Sequence, residues 1–306
     1  MNRITQHPVL EAKSGKEVVF YFDGREMKGF ENEPVSSALF ANGIKKFSIH
    51  KKDDSPQGIF CANGQCSQCT VIIDGMPLKS CVTPLKNGMD VRTLNHVPEL
   101  PHDDKADFIQ RIEEIITDVL VIGGGPSGLT SALELAKLGF KVVIVEDKDK
   151  LGGKLLLQTH KFFGSQEDSY AGTRGFEIAA LLEKQILENN NITVLYETSV
   201  VGIYKDKKAG VYKNNGKYSL VDFQGLIVSG GARERSLVFP GNDLPGVYGA
   251  GAFQTLVNRD LIKSSEKVFI VGSGNVGLIA AYHALQAGIG VVGIVDIMDK
   301  VSGYKV

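Results

Sequence analysis

Four cysteines are all that this 306-residue chain contains, and they crowd into one short stretch. The run reads Cys61-Ala-Asn-Gly-Gln-Cys66-Ser-Gln-Cys69, followed by eleven residues and then Cys81. C-x4-C-x2-C with a distant fourth thiol is the plant-type spacing for a 2Fe-2S cluster. Three thiolates on one loop can wrap one side of such a cluster. Gly58 and Gly64 allow tight turns without a Cβ in the way. Asp74-Gly75 sits between two short runs, Thr70-Val-Ile-Ile73 and Met76-Pro-Leu-Lys79, and Asp-Gly is a two-residue hairpin signal. That turn pairs position 69 with 80 and returns Cys81 beside Cys69. Pro77 has no amide hydrogen for a ladder, so the hairpin belongs at a sheet edge.

Two other uses of four cysteines compete. Structural zinc sites favour two C-x2-C knuckles, and this run has one. Disulfides need an oxidising compartment, and the opening Met-Asn-Arg-Ile-Thr-Gln-His-Pro has no apolar core of a secretory leader. A cytoplasmic setting is the expectation. The net charge of −1 offers no basic footprint for nucleic acid or an anionic membrane. No Asp, Glu, Lys or Arg occurs from Val268 to Val295, a span long enough to cross a bilayer. Glycines and polar residues inside it favour a buried βαβ unit instead, so no membrane span is expected.

The length suggests two or three domains. Residues 1–97 read as a small α+β domain. Glu17–Phe22 and Arg25–Phe30 flank an Asp23-Gly24 turn, Pro34–Ala41 reads as a short helix, and the cysteine loop and its hairpin follow. This succession suits a ferredoxin-like β-grasp domain. Residues 98–117 read as a linker, with an amphipathic helix over 103–116 whose stripe holds Phe108, Ile109, Ile112, Ile115 and Ile116.

Residues 118–235 open with the strand Asp118–Ile122, then Gly123-Gly-Gly125-Pro126-Ser127-Gly128, a helix stopped at Gly139, and a strand ending at Glu146. Residues 236–306 repeat the plan about 150 residues later. A strand precedes Gly272-Ser-Gly274-Asn275-Val276-Gly277, a helix stops at Gly288, and a strand ends at Asp296. A lone G-x-G-x-x-G is weak. Following an apolar strand, opening a helix and carrying an acid about twenty residues on, it is a dinucleotide-binding fingerprint. Its glycines turn the chain, admit the pyrophosphate and let helix and strand pack. The helix N-terminus then meets the anion. Glu146 and Asp296 are placed for an adenosine ribose. No arginine follows Asp296, so NAD(H) is favoured over NADP(H) there. Between the two units, Val200–Ser229 reads as a β-meander with a turn at 214–216. The fold class is therefore an α+β β-grasp domain, a Rossmann-type FAD domain and the start of a second Rossmann-type domain for NAD.

Two such sites in series resemble the two-dinucleotide-binding-domain flavoproteins, the pyridine nucleotide-disulfide oxidoreductase superfamily. Val228-Ser-Gly-Gly231-Ala232 falls where that superfamily carries a strand and glycine turn, which implies that Gly231 borders the FAD. With no cysteine after Cys81, disulfide reduction at the flavin is out of reach. The chain more specifically resembles the α subunits of sarcosine oxidase and of the hydrogen cyanide synthase and proline dehydrogenase complexes. The cysteine loop, both glycine motifs and Phe239-Pro-Gly-Asn-Asp-Leu-Pro-Gly-Val247 carry that likeness. It implies FAD, NAD(H) and a flavoprotein dehydrogenase or oxidase subunit as partner. Relative to that family, only the first βαβ of the second nucleotide domain is present, as in a truncated chain.

Hydride transfer between nicotinamide and flavin needs little acid–base help from protein. Candidate groups beside the flavin are Gly152, Gly153, Lys154, Gln158, Thr159 and His160. Lys154 could stabilise negative charge on reduced flavin, and a surface lysine is the plainer reading. For His160 a packed side chain competes with a proton donor. Tyr170-Ala-Gly-Thr-Arg174 has no evident chemistry. The function expected is electron transfer between NAD(H), FAD and the cluster within an amine or amino-acid dehydrogenase system. A stand-alone NADH:acceptor reductase and a non-catalytic electron-transfer subunit with an empty second site are the alternatives.

Overall fold

A computed structural model describes residues 2–12, 14–100, 102, 104, 111–214 and 216–303. The chain divides into two compact units, one joining Met1–Asp104 with Glu234–Val306 and the other spanning Lys105–Arg233.

In the first unit, strands β1 (Glu17–Phe22) and β2 (Arg25–Phe30) form a hairpin in which Phe22 faces Arg25. Asp23 and Gly24 both take positive φ, 48° and 77°, the conformation whose twist matches paired strands. Helix α1 (Val35–Ala41) starts after Pro34 and is buried along its whole length. Short strands β3 (Ser48–Ile49), β4 (Pro56–Gln57), β5 (Thr70–Ile73), β6 (Met76–Lys79), β7 (Asp90–Arg92) and β8 (Leu94–Asn95) follow. One sheet has the order β2-β1-β7-β5-β6, and β4-β3-β8 form a second. β1 and β7 run parallel and the other pairs of the larger sheet antiparallel, the β-grasp pattern. Phe20, Leu39, Phe40 and Phe47 are fully buried between sheet and helix. Each contributes about 1.5–3 kcal/mol.

The second unit holds β9 (Glu113–Ile122), α2 (Pro126–Lys137), β10 (Val142–Val145), a 3-10 turn at Gly153–Leu157, α3 (Gln166–Ser169), α4 (Gly175–Leu187), β11 (Ile192–Leu195), β12 (Thr198–Ile203), β13 (Lys208–Lys213) and β14 (Tyr218–Val228). Its six-stranded sheet has the order β11-β10-β9-β14-β13-β12. The four strands around β9 are parallel and β12-β13-β14 form an antiparallel meander, as the sequence pattern suggested. Every residue of β10 is buried, which explains its unbroken Val-Val-Ile-Val.

The linker helix expected over 103–116 is corrected where it can be seen. Residues 113–116 belong to β9, with Ile115 opposite Val221 and Ile116 opposite Asp222. Long β14 supplies a ladder along all of β9, and Lys217 and Lys208 pair with Glu113 and Glu114. Cross-strand partners outweigh a helical stripe in a segment this short. Asp103, Phe108 and Ile109 lie outside the described residues, as does Asn215 of the 214–216 turn.

Residues 234–303 return to the first unit. Helix α5 (Ala250–Gln254) runs into a π-helical turn at Thr255–Arg259, followed by β15 (Lys267–Val271), α6 (Asn275–Gln286) and β16 (Gly290–Val295). Ala252, Leu256 and Ile262 complete the β-grasp core. Phe253, Val257 and Leu261 turn to Ala280 and Ala284 of α6. The segments 1–97 and 236–306 are thus two ends of one packed body. Ile4 N–H donates to Leu261 O at 2.8 Å and Lys263 N–H to Asn2 O at 2.9 Å. The uncharged run 268–295 is a parallel βαβ. Among the described residues no helix is long and apolar enough to cross a membrane. α6 covers one face of β15-β16, and the other exposes Phe269 (60%), Val271 and its partner Val295.

The N-terminal arm is clamped by charge. Arg3 reaches Glu33 through two bonds of 2.7 and 3.0 Å and lies over the Phe30 ring. Glu33 is only 1% exposed. Arg3→Ala takes the counter-charge from a buried carboxylate that keeps the Phe30 N–H at 2.8 Å, and should lower the unfolding free energy by roughly 3 kcal/mol. Urea denaturation followed by circular dichroism measures this, with exposed Val201→Ala as a control of under about 0.5 kcal/mol.

Candidate cofactor sites

The thiol site grows from the β5-β6 hairpin. Asp74 and Gly75 repeat the positive-φ turn (48° and 84°), and Thr70 faces Lys79. Cys69 O accepts from Ser80 N–H at 3.1 Å and from Ser80 Oγ at 2.7 Å, which fixes Cys81 beside Cys69. β6 is the edge strand, so Pro77 costs no interior ladder bond. The loop turns through Ala62 (φ 52°) and Gly64 (φ 79°). A Cβ on Gly64 would meet Val82 Cγ1 at 3.1 Å, so the loop needs glycine there on two grounds. Gly58 serves packing instead, because a Cβ there would meet Lys45 O at 2.3 Å. Lys79 Nζ donates to Gly64 O at 2.8 Å and ties loop to hairpin.

The sulfurs receive backbone donors. Gly64 N–H points at Cys81 Sγ (3.3 Å) and Cys66 N–H at Cys61 Sγ (3.4 Å). The thiols also hydrogen-bond one another. Bonds from Cys66 and Cys81 hold Cys61 far below the usual thiol range, and a bond from Cys81 brings Cys69 down to about 7. The donors move the other way: Cys66 and Cys81 are pushed up by giving those bonds and by burial. Two of the four thus ionise readily at the expense of the other two. Four thiolates here need added positive charge, which iron supplies. Among the described residues no group of three or more His, Cys, Asp or Glu side chains is arranged as it stands to hold a metal ion. The thiols sit as neighbours on a loop and a hairpin end, with N–H donors of the kind that tune cluster sulfurs.

The two glycine loops share their backbone bonds. Gly123 N–H donates to Val145 O (2.9 Å) and Gly272 N–H to Val295 O (2.7 Å). Their φ values are 103° and 107°. A Cβ on Gly128 or Gly277 would lie 2.0 Å from the carbonyl oxygen of Gly123 or Gly272. Gly124 N–H donates to Glu146 Oε2 (2.8 Å), as Ser273 N–H does to Asp296 Oδ2 (2.6 Å). Lys148 N–H and Met298 N–H each close on the other carboxylate oxygen at 3.0 Å. Gly125 and Gly274 cap the opened helices, α2 and α6, and no atom comes within 4 Å of a Cβ built on Gly125. Pro126 and Ser127 begin α2, and Asn275 and Val276 begin α6. β16 carries one extra residue, since Val268 faces Val291 but Phe269 faces Gly293.

The two acids differ in charge state. Glu146 is 7% exposed, and burial first, then a hydrogen bond with Asp147, pushes it up to about 7. Asp296 is drawn down to about 2, chiefly by the Ser273 hydroxyl.

After Glu146 the chain returns to the first loop. Gly152 N–H donates to Gly124 O at 2.8 Å. Gly152 and Gly153 take φ of 113° and 53°, and a Cβ on Gly153 would sit 3.0 Å from Gly125 Cα. Lys154 is exposed. His160 is 4% exposed and stacks on Phe163 at 4.6 Å, and its Nδ1 accepts from Phe162 N–H at 3.1 Å. Burial lowers its pKa, so it sits neutral in an aromatic stack. Gly231 (φ 75°) is exposed beyond β14.

Three contributors were not singled out by sequence. Ser229 Oγ lies 2.8 Å from Ile122 O and 3.0 Å from Gly123 O, pinning β14 to the first loop. Arg174 Nη1 donates to Thr159 O, giving the unassigned 170–174 stretch a structural role. Ser273 Oγ donates to Asp296 Oδ2 at 2.6 Å. Only the last had a sequence signal, a serine where the first motif has glycine.

Residues 15–96 match the family model for a 2Fe-2S iron-sulfur cluster binding domain, and residues 117–305 match that for pyridine nucleotide-disulphide oxidoreductase. Sarcosine oxidase subunit alpha of Corynebacterium sp. (strain P-1) is 24% identical over 312 residues, covering 97% of this chain and 32% of that protein. Hydrogen cyanide synthase subunit HcnB of Pseudomonas protegens is 30% identical over 178 residues, 58% of this chain and 38% of that one. The crystal structure of L-proline dehydrogenase from P. horikoshii superposes with a TM-score of 0.79 at 24% identity, over 94% of this chain and 56% of that chain, a likeness of fold. The chain spans about a third of the length of the curated relatives it matches.

Cys66→Ser should abolish iron binding and its visible absorbance while flavin content stays at the wild-type level, read by metal analysis and flavin extraction. Joint loss of both would mean that the flavin site also depends on the thiol loop. Glu146 gives a pH signature. Its folded pKa is raised from 4.5 to about 7, so the folded state holds the proton more tightly and stability falls as pH rises through that window. Glu146→Gln should remove that slope in urea midpoints of the flavin-free chain measured between pH 4.5 and 7.

Proposed function

Because the chain belongs to the pyridine nucleotide-disulphide oxidoreductase family and carries a 2Fe-2S domain ahead of it, we propose that it relays electrons among NAD(H), FAD and the cluster. The observation that carries this reading is the conjunction in one chain of a four-thiol nest and two glycine loops with the same bonding. All four cysteines lie in the thiol nest, so none remains for disulfide chemistry beside a flavin. The electrons then have the cluster as their exit or entry.

In this reading Gly123, Gly125, Pro126, Ser127, Gly128, Glu146, Gly153 and Gly231 hold FAD. Gly272, Gly274, Asn275, Val276, Gly277 and Asp296 hold NAD(H), and Cys61, Cys66, Cys69 and Cys81 ligate the cluster. The open start of each helix, α2 and α6, presents N–H groups to a pyrophosphate. Each carboxylate is fixed by its own loop before a ribose arrives, so little ordering remains on binding. Flavin, when bound, supplies the step between two-electron hydride and one-electron cluster chemistry. Lys154, exposed on the turn that follows Gly153, is the residue proposed to offset negative charge on reduced flavin. His160 is proposed to support that turn through its aromatic stack. Its burial and lowered pKa speak against a proton-donating role.

Relatives named as subunits of sarcosine oxidase and hydrogen cyanide synthase support a place within an amine or amino-acid dehydrogenase or oxidase assembly, with a flavoprotein subunit as partner. Four reduced thiols suit a cytoplasmic setting. An anaerobic absorbance spectrum followed by NADH titration tests the relay. Flavin and iron–sulfur bands should both bleach on NADH. Bleaching only when a flavoprotein partner and its amine substrate are added would replace NADH as donor. Dye reduction with NADH alone would favour a stand-alone reductase.

A further inference from the structure

The two loops differ at three of their six positions, and the difference at the second, Gly124 against Ser273, bears on how the second site holds its ligand. Gly124 in the first loop has no side chain. A Cβ there would meet Leu151 Cδ2 at 2.4 Å and Glu146 Oε2 at 2.9 Å. Leu151 is fully buried and stands five residues after Glu146. In the second repeat the bond equivalent to Gly152 N–H with Gly124 O is Gly303 N–H with Ser273 O at 3.0 Å, so Leu151's place is taken by Ser302, whose smaller side chain leaves room for that of Ser273. Ser273 uses that room to place its hydroxyl on the carboxylate.

Asp296 Oδ2 accepts both Ser273 N–H and Ser273 Oγ–H, each at 2.6 Å. Two bonds fill the lone pairs of a carboxylate oxygen. The hydroxyl is itself oriented, because Ser302 N–H points at Ser273 Oγ from 3.3 Å. Oδ1 takes Met298 N–H at 3.0 Å. At Glu146 the corresponding oxygen accepts one backbone N–H and no hydroxyl.

We propose that Ser273 is a positioning residue that competes with the nucleotide ribose for Asp296 Oδ2 and so keeps the second site's dinucleotide readily exchangeable. An incoming ribose must displace the Ser273 hydroxyl or settle for Oδ1. At the first site no hydroxyl sits on the oxygen that accepts the Gly124 N–H, and the side-chain partner of Glu146 is the neighbouring Asp147. The inference rests on the reading of Gly272–Gly277 and Asp296 as a nicotinamide dinucleotide site.

The test is NADH binding by the full chain, measured by fluorescence titration alongside flavin content. Ser273→Ala and Ser273→Gly should tighten NADH about three- to tenfold, the worth of one hydrogen bond, chiefly through a slower off-rate. Ser273→Thr keeps a hydroxyl and should restore wild-type affinity. Most of the gain should vanish with 2′-deoxy-NADH, which lacks a hydroxyl for the freed oxygen. Unchanged or weaker NADH binding by both Ala and Gly variants, with normal flavin content, overturns the proposal and leaves the site reading intact. Asp296→Ala separates the two: if it binds NADH as wild type does, or if wild type shows no saturable binding, the site reading falls and takes the proposal with it.

Discussion

The contact on which the α/β parts depend is the approach of a helix to the strand before it. Gly128 and Gly277 sit so close to the carbonyl oxygens of Gly123 and Gly272 that a Cβ would lie 2.0 Å away. No side chain fits that gap. With it closed, α2 and α6 start directly over the ends of β9 and β15. Their free N–H groups then face outward, and the acids that end β10 and β16 fold under the loops. The helix–strand distance, the anion cradle and the carboxylate clamp are one arrangement seen from three sides. Lengthening the first contact would undo the other two.

The thiol nest answers to a different constraint. Its four sulfurs share protons among themselves and draw on backbone donors, so the apo site is a compromise between acidic and strongly basic thiols. A cluster resolves that compromise by bringing positive charge to where the thiolates gather. The nest is built by a hairpin whose turn and register are local, and this local geometry explains why it could be read from the sequence.

The legible features were those whose physics is short-range. Asp23-Gly24 and Asp74-Gly75 announce their turns, because few other pairs accept two positive φ values in a row. The glycine loops are similarly self-contained, with strand, turn, helix and acid inside thirty residues. What stayed hidden depended on partners far away in sequence. Ile115 and Ile116 satisfy a helical stripe, and only the distant strand Tyr218–Val228 makes them part of a sheet. His160 could be weighed but not decided until Phe162 and Phe163 were seen to enclose it. The value of a serine at 273 emerged only against glycine at 124, with Leu151 buried beside one loop and the smaller Ser302 in its place beside the other.

The segment 250–262 completes a core that the first hundred residues begin, with Leu256 and Ile262 beside Phe20 and Leu39. On the ribosome these partners emerge far apart in time. At typical synthesis speeds the interval from Cys81 to Ile262 is on the order of ten to forty seconds. Through that interval the wall behind the cysteine domain is unfinished. The flavin-side sheet, residues 113–228, therefore has its whole sequence before the iron-side core can shut.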